Sequence, residues 1–286
     1  MDSQPYHFEV SSKEQGMGLL AFLRTQLPEA ISGKAIKRTI DGKCCTVNGR
    51  VEIFSSYALS KGDKVVVRLK AVKKASLQKL EVLYEDEDLL ICNKLAGVVS
   101  SPSFFPFPPV HRLDKETTGA LILAKNPAIA KKMIHLFAQR EVHKEYLALV
   151  DGLVNSSSGK IDQRLKKKFA YEGQTVWGIA APNEEGLSAL TSWKCLEKKS
   201  SASLLLCMPK TGRTHQLRVH LSSIGHPILG DCQYGKEFTC KLHPERHLLH
   251  AFRLSFIHPI THKEINVIAS LPQDFQAALK TLQMKF

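Results

Sequence analysis

Leu19, Leu20, Leu23 and Leu27 recur at the three-and-four spacing that lines one face of a helix, and Pro28 ends the pattern. Residues 34–41 predict a second short helix, with Ile36 and Ile40 on one face, Lys34, Lys37 and Arg38 on another, and Gly42 as its stop. Residues 45–51 then read as a hairpin centred on Asn48-Gly49, the pair favoured in tight primed turns. Gly62-Asp63 makes a further turn into the strand Val65-Val66-Val67. From Lys70 to Ser76 small and charged residues follow without period, which predicts a linker over 71–79 between a small domain, 1–70, and a larger one, 80–286.

In the larger part, residues 80–84 and 89–92 are strand-like runs around Glu85-Asp86-Glu87-Asp88, whose four carboxylates are expected at a solvated hairpin tip rather than around a metal. The Phe/Pro segment 104–109 predicts an extended connector, and Ala120–Ala124 a buried strand. Asn126-Pro127 is a helix start, giving an expected apolar face of Ala130, Met133, Ile134 and Phe137. Residues 141–152 alternate into another strand that carries Tyr146, which gains interest only if that strand lies beside the one after Asp114.

At 43% apolar residues over 286 positions the chain can bury a sizeable core, and no apolar run approaches the roughly 20 residues of a membrane helix. The start, Met1-Asp2-Ser3-Gln4-Pro5, lacks a signal-peptide layout, so a cytoplasmic protein is expected. Seven cysteines without a CxxC pair, two of them adjacent, fit a reducing compartment. Cys232, Cys240, His243, His247 and His250 lack the tight spacing of a zinc knuckle, so packing roles are expected and no metal. The net charge of +13 points to a polyanionic partner, nucleic acid first. Lys166-Lys167-Lys168 is expected to be a solvated run.

Chemistry concentrates in two stretches. His111-Arg112-Leu113-Asp114-Lys115 sets one carboxylate among cations in a loop ending at Gly119, and Thr211–Leu221 packs two arginines and two histidines around Leu217, Val219 and Leu221. Arg218, with apolar neighbours, needs a carboxylate partner.

The front segment resembles the S-four type RNA-binding domain, on residues 34–42, Thr46-Val47-Asn48-Gly49-Arg50 and Lys61-Gly62-Asp63; its helix opens Gly16-Met17-Gly18-Leu19 where that family usually has Arg-Leu-Asp. Three ordered stretches, 110–119, 144–152 and 211–221 running on to Gly230-Asp231-Cys232-Gln233-Tyr234-Gly235, resemble the RluA-type pseudouridine synthases. The resemblance implies an α+β fold, a mixed and mostly antiparallel central sheet with flanking helices, preceded by a small α/β RNA-binding domain. It implies Asp114 as the carboxylate at the sugar, by nucleophilic attack or as a base, with Arg218 favouring its ionised form and Tyr146 stacking on the base. Arg112 would hold the nucleotide out of its helix, and His111, Arg213 and Leu217 would line the substrate. Lys34, Lys37, Arg38 and Arg50 would meet RNA phosphates from the front domain. The isomerisation involves no redox change or hydrolysis, so no cofactor is expected. The partner expected is ribosomal RNA, with tRNA second, and the protein is expected to be a monomer away from membranes. The competing readings are a non-catalytic RNA-binding or ribosome-assembly protein, and a hydrolase, for which no coherent water-activating set is present.

Overall fold

The computed structural model describes residues 5–28, 31, 33–41, 44–67, 80–171, 174–235 and 237–286. The chain divides into two compact units, 1–73 and 74–286. The expected linker, 71–79, lies outside the described residues, as do the side chains of Lys34 and Arg38.

The first unit contains β1 (Tyr6–Glu9), α1 (Leu19–Gln26), α2 (Gly33–Asp41), β2 (Cys45–Val47), β3 (Arg50–Val51) and β4 (Lys64–Val67). Its strands form an antiparallel sheet in the order β1-β4-β2-β3. Leu19, Phe22, Leu23, Ile36 and Ile40 pack on Val65 and Val67, so both helices turn their expected apolar faces to the sheet. Asn48 and Gly49 take φ of 50° and 79°, the backbone a primed turn demands. The Asn48 amide donates to Asp63 Oδ1 (2.8 Å) and its oxygen accepts from Lys64 N (2.9 Å), tying the two turns together. Strand β1 has too short an alternation to stand out in the sequence; the pairing partner β4 defines it.

The second unit runs β5 (Glu81–Glu85), β6 (Leu89–Lys94), β7 (Thr118–Ala124), α3 (Pro127–Gln139), β8 (His143–Asp151), β9 (Ser158–Asp162), β10 (Leu165–Tyr171), β11 (Gln174–Ile179), β12 (Leu190–Lys199), β13 (Ala202–Pro209), α4 (Gln216–Ser223), β14 (Leu249–Ile257), β15 (Glu264–Ile268) and α5 (Gln273–Thr281). Nine strands make one sheet, β5-β6-β7-β14-β8-β13-β12-β9 with β15 also on β14, while β10 and β11 form a separate hairpin. Among the described pairings only β7 with β14 is parallel. Strand alternation sorts the two faces. Ala120 and Ile122 of β7 meet Ile129 and Met133 of α3, and Leu147 and Leu149 of β8 meet Phe275 and Leu279 of α5. Tyr146, Ala148 and Val150 look to the other face, where Leu217 and Leu221 of α4 pack.

Three local expectations change. Asn126 caps α3 by accepting from Ile129 N at 2.9 Å, worth about 1 kcal/mol; that start puts Ile129 and Met133 inside and leaves Ile134 54% exposed. The acidic turn is not simply a solvated tip: Asp86 accepts from Asp88 N, Leu89 N and the Tyr84 hydroxyl and lies 3.3 Å from His258 Nε2, while Glu85 and Glu87 are exposed. The Phe/Pro connector begins with a 3-10 turn, Pro102–Phe104, and buries Phe105. Lys166 and Lys168 both pair with Glu184. Among the described residues no helix is long and apolar enough to cross a membrane.

Candidate active site

The loop before β7 is fixed from several sides. Ser100 Oγ accepts from Leu113 N and donates to Leu113 O, both at 3.0 Å. Lys94, fully buried, donates its ammonium to the carbonyls of Leu95, Val98 and Lys115 at 2.8–3.0 Å; burial pushes it down to about 8. Thr117 Oγ1 lies 2.9 Å from His247 Nε2, and Thr118 Oγ1 2.8 Å from His250 Nδ1. These hydroxyls are partners of two of the three histidines in the Cys/His cluster of the sequence. His111 Nε2 accepts from Ile122 N at 3.0 Å and its ring centroid lies 4.8 Å from that of Phe137. Burial, with the Lys144 charge, pushes His111 down to about 3, so its ring stays neutral, as an acceptor must. That ring nitrogen anchors the loop to β7 and is not free for a nucleotide. Arg112 is exposed at the rim and Asp114 is half-buried.

Arg218, on α4, reaches Asp114 with Nη1 to Oδ2 at 3.4 Å. Its stronger bonds go elsewhere, since Nε and Nη2 hold Asp231 Oδ2 and Oδ1 at 2.7 and 2.9 Å. Nη2 also reaches Gln233, and the guanidinium lies 4.9 Å over the Tyr234 ring. The expected Asp114–Arg218 pair is therefore the outer part of an Asp114–Arg218–Asp231 row. Burial works against both inner charges, but their mutual bonds outweigh it, raising Arg218 and lowering Asp231. Asp231 is fixed further by Gln233 N and Tyr234 N.

His215 caps α4 with φ 56°, the left-handed region that non-glycine residues enter at some cost. Its Nδ1 lies 2.7 Å from the Tyr234 hydroxyl and its Nε2 3.9 Å from Asp114 Oδ1. Burial lowers its pKa, overcoming the pull of Asp114. Tyr146 is not on a strand next to β7, because β14 lies between. The register nevertheless lines up Tyr146 with Ala251 and Ala251 with Gly119. Gly119 allows this with φ 113°; a Cβ there would fall 2.2 Å from Ala251 O. Tyr146 thereby packs into the same cluster as Leu113, beside Asp114. Burial and then the Asp114 charge push its hydroxyl well above the usual range, so it faces the cleft as a neutral phenol.

A cleft of about 1020 Å³ takes in Arg112, Asp114, Tyr146, Arg213, Leu217 and Arg218. Arg213 leans on Ser188 O through Nε (3.0 Å) and Leu217 shares its surface between cleft and core. In the first unit Lys37 and Arg50 are exposed. Asp231, His215, Tyr234 and Lys144 were not foreseen as site residues. The one available signal was a lone acid after Gly230, within reach of a buried arginine that needed a partner.

The cleft is centred on an acid, framed by cations and set on the open face of the mixed sheet of an α+β fold. Residues 88–223 match the family model described as RNA pseudouridylate synthase. The chain is 35% identical to the ribosomal large subunit pseudouridine synthase C of Buchnera aphidicola over 263 residues, 80% of this chain and 83% of that one. It is 34% identical over 236 residues to the ribosomal large subunit pseudouridine synthase D of Zymomonas mobilis, 72% and 73% of the two chains. The solved structure of human RNA pseudouridylate synthase domain containing 4 aligns with a TM-score of 0.61 at 28% identity, over 72% of this chain and 94% of that one. The chain belongs to the RNA pseudouridylate synthase family, a family of isomerases.

Proposed function

We propose that this protein converts uridines of ribosomal RNA to pseudouridine, with Asp114 as the group that acts at the sugar. The observation that carries the reading is the Asp114–Arg218–Asp231 row opening beside Tyr146 in one cleft. The reaction breaks the bond from C1′ to N1 and makes one from C1′ to C5; C5 loses a proton and N1 gains one. Asp114 either attacks C1′ or takes the proton at C2′, and Arg218 Nη1, held in place by Asp231, offsets its charge. Tyr146 supplies an aromatic face for the base. Arg112 at the rim and Arg213 with Leu217 on the wall receive the displaced nucleotide, while His111 keeps the loop in place. Ribosomal RNA is favoured by the names of the relatives. The reaction calls for no cofactor.

In this reading residues 1–70 act as an S-four type RNA-binding domain through Lys34, Lys37, Arg38 and Arg50, joined by 71–79 to a catalytic domain, 80–286. The protein works in the cytoplasm as a monomer. The test maps pseudouridine after incubation with ribosomal RNA and, separately, tRNA. Asp114→Asn is expected to abolish product while RNA affinity stays within a few-fold, because phosphate contacts dominate affinity. Native protein that forms no more pseudouridine than Asp114→Asn would overturn the enzymatic reading. Removal of residues 1–70 is expected to weaken RNA binding; unchanged affinity would remove the front domain from the account.

A further inference from the structure

Strand β8 carries Lys144 two residues before Tyr146, so the pleat sends both side chains into the cleft, about 7 Å apart along the strand. Glu145, between them, points to the opposite face, where Arg253 Nη1 meets its carboxylate at 3.4 Å. The strand thus pairs the charge on its far face and leaves the one on its cleft face without a carboxylate. Among the described residues no Asp or Glu comes within 4.0 Å of the Lys144 ammonium. What it has is the Thr211 carbonyl at 3.5 Å and the Phe137 ring at 5.9 Å.

The other groups facing Lys144 do not neutralise it either. Lys210, on the segment leading to α4, adds a like charge, His111 behind Phe137 is neutral, and Arg140 lines the same cleft. Burial, then Lys210, pushes Lys144 down to about 8. Opposite stands Gly212, where an added Cβ would meet nothing within 4 Å except Lys144 Nζ itself at 3.9 Å, so the space before the ammonium is open. Holding a cation out of water without a counter-charge costs stability. A site built this way gains most from an incoming anion.

We propose that Lys144 is the cation of a phosphate subsite, taking a backbone phosphate of the RNA strand next to the nucleotide whose base lies against Tyr146. The spacing of Lys144 and Tyr146 suits a nucleotide lying along β8, ring on the tyrosine and phosphodiester on the lysine. This subsite rests on the RNA reading above but not on the isomerisation step. It is therefore tested by binding, in the Asp114→Asn background, with a uridine-containing RNA oligonucleotide titrated over a series of KCl concentrations.

Lys144→Met is expected to weaken binding roughly ten-fold and to flatten the slope of log affinity against log salt by about 0.7–0.9, one phosphate's worth. Its melting temperature should match or exceed that of the parent, since a half-buried charge without a carboxylate partner has gone. Raising the pH from about 7 to about 9 discharges Lys144, so the parent loses affinity across that range. Lys144→Met should lose less affinity than the parent over that range, the remainder coming from groups such as Lys94 that discharge there too, and Lys144→Arg should lose no more than Lys144→Met. Unchanged affinity and salt slope in Lys144→Met would overturn the subsite, as would a destabilised Lys144→Met that binds like the parent. RNA bound with this salt signature, together with a native protein that forms no pseudouridine, would keep the subsite and sink the isomerase. A protein that binds no RNA would sink both.

Discussion

Arg218 gives two nitrogens to Asp231 and keeps one for Asp114, so the position of the outer carboxylate's partner depends on the inner carboxylate. Asp231→Asn would leave a buried guanidinium facing a neutral amide. We expect a loss of about 3 kcal/mol in denaturant unfolding, and pseudouridine formation reduced by more than the loss of folded protein explains. Equal stability for the two proteins would show that the inner pair carries no such weight. Asp114 was legible in the sequence because arginine, histidine and lysine crowd it within five positions. Asp231 was not, because Gly230-Asp231 reads as an ordinary turn and only the fold brings it under α4. His215 escaped for a different reason: nothing in a run of polar residues announces a left-handed backbone.

At the scale of elements, the site depends on β14 lying between β7 and β8. Strands β7 and β8 were legible from their apolar runs, but β14 was not singled out, and the order of the sheet was not legible, since pairing partners leave no mark on hydropathy. Gly119 is where that order becomes a steric demand. Gly119→Ala would drive a methyl into the Ala251 backbone at a φ that L-residues avoid. It should cost about 3 kcal/mol or more, and activity should fall even below the unfolding temperature because the Asp114 loop shifts from Tyr146. A fully active Gly119→Ala protein of native stability would refute the register argument. The helix α3 shows the reverse case, with its start legible from Asn126-Pro127 and its buried face assigned one step off at Ile134.

At the scale of the whole molecule, charge and acid stability follow from what is buried. The net charge of +13 was legible as a polyanion signature from composition alone. The buried histidines were not, and they set a pH limit. Burial pushes His247 and His250 down to about 4, against about 6.5 in an unfolded chain. Between those values the unfolded state binds the protons first, so stability falls as the pH drops from about 6.5 towards about 4. The loss should be about 1.4 kcal/mol per pH unit per histidine. Melting temperatures recorded across that window should decline steeply, and a flat profile would contradict it. The place of β14 also sets a timetable for synthesis. Leu249 emerges long after β8 is complete at Asp151. At about 5–20 residues per second, the nascent chain spends on the order of ten seconds with β7 and β8 each missing the neighbour that joins them. During that interval two apolar strand edges are open to other chains. Chains cut short between Gln233 and Leu249 would carry both halves of the cleft without the strand that joins them.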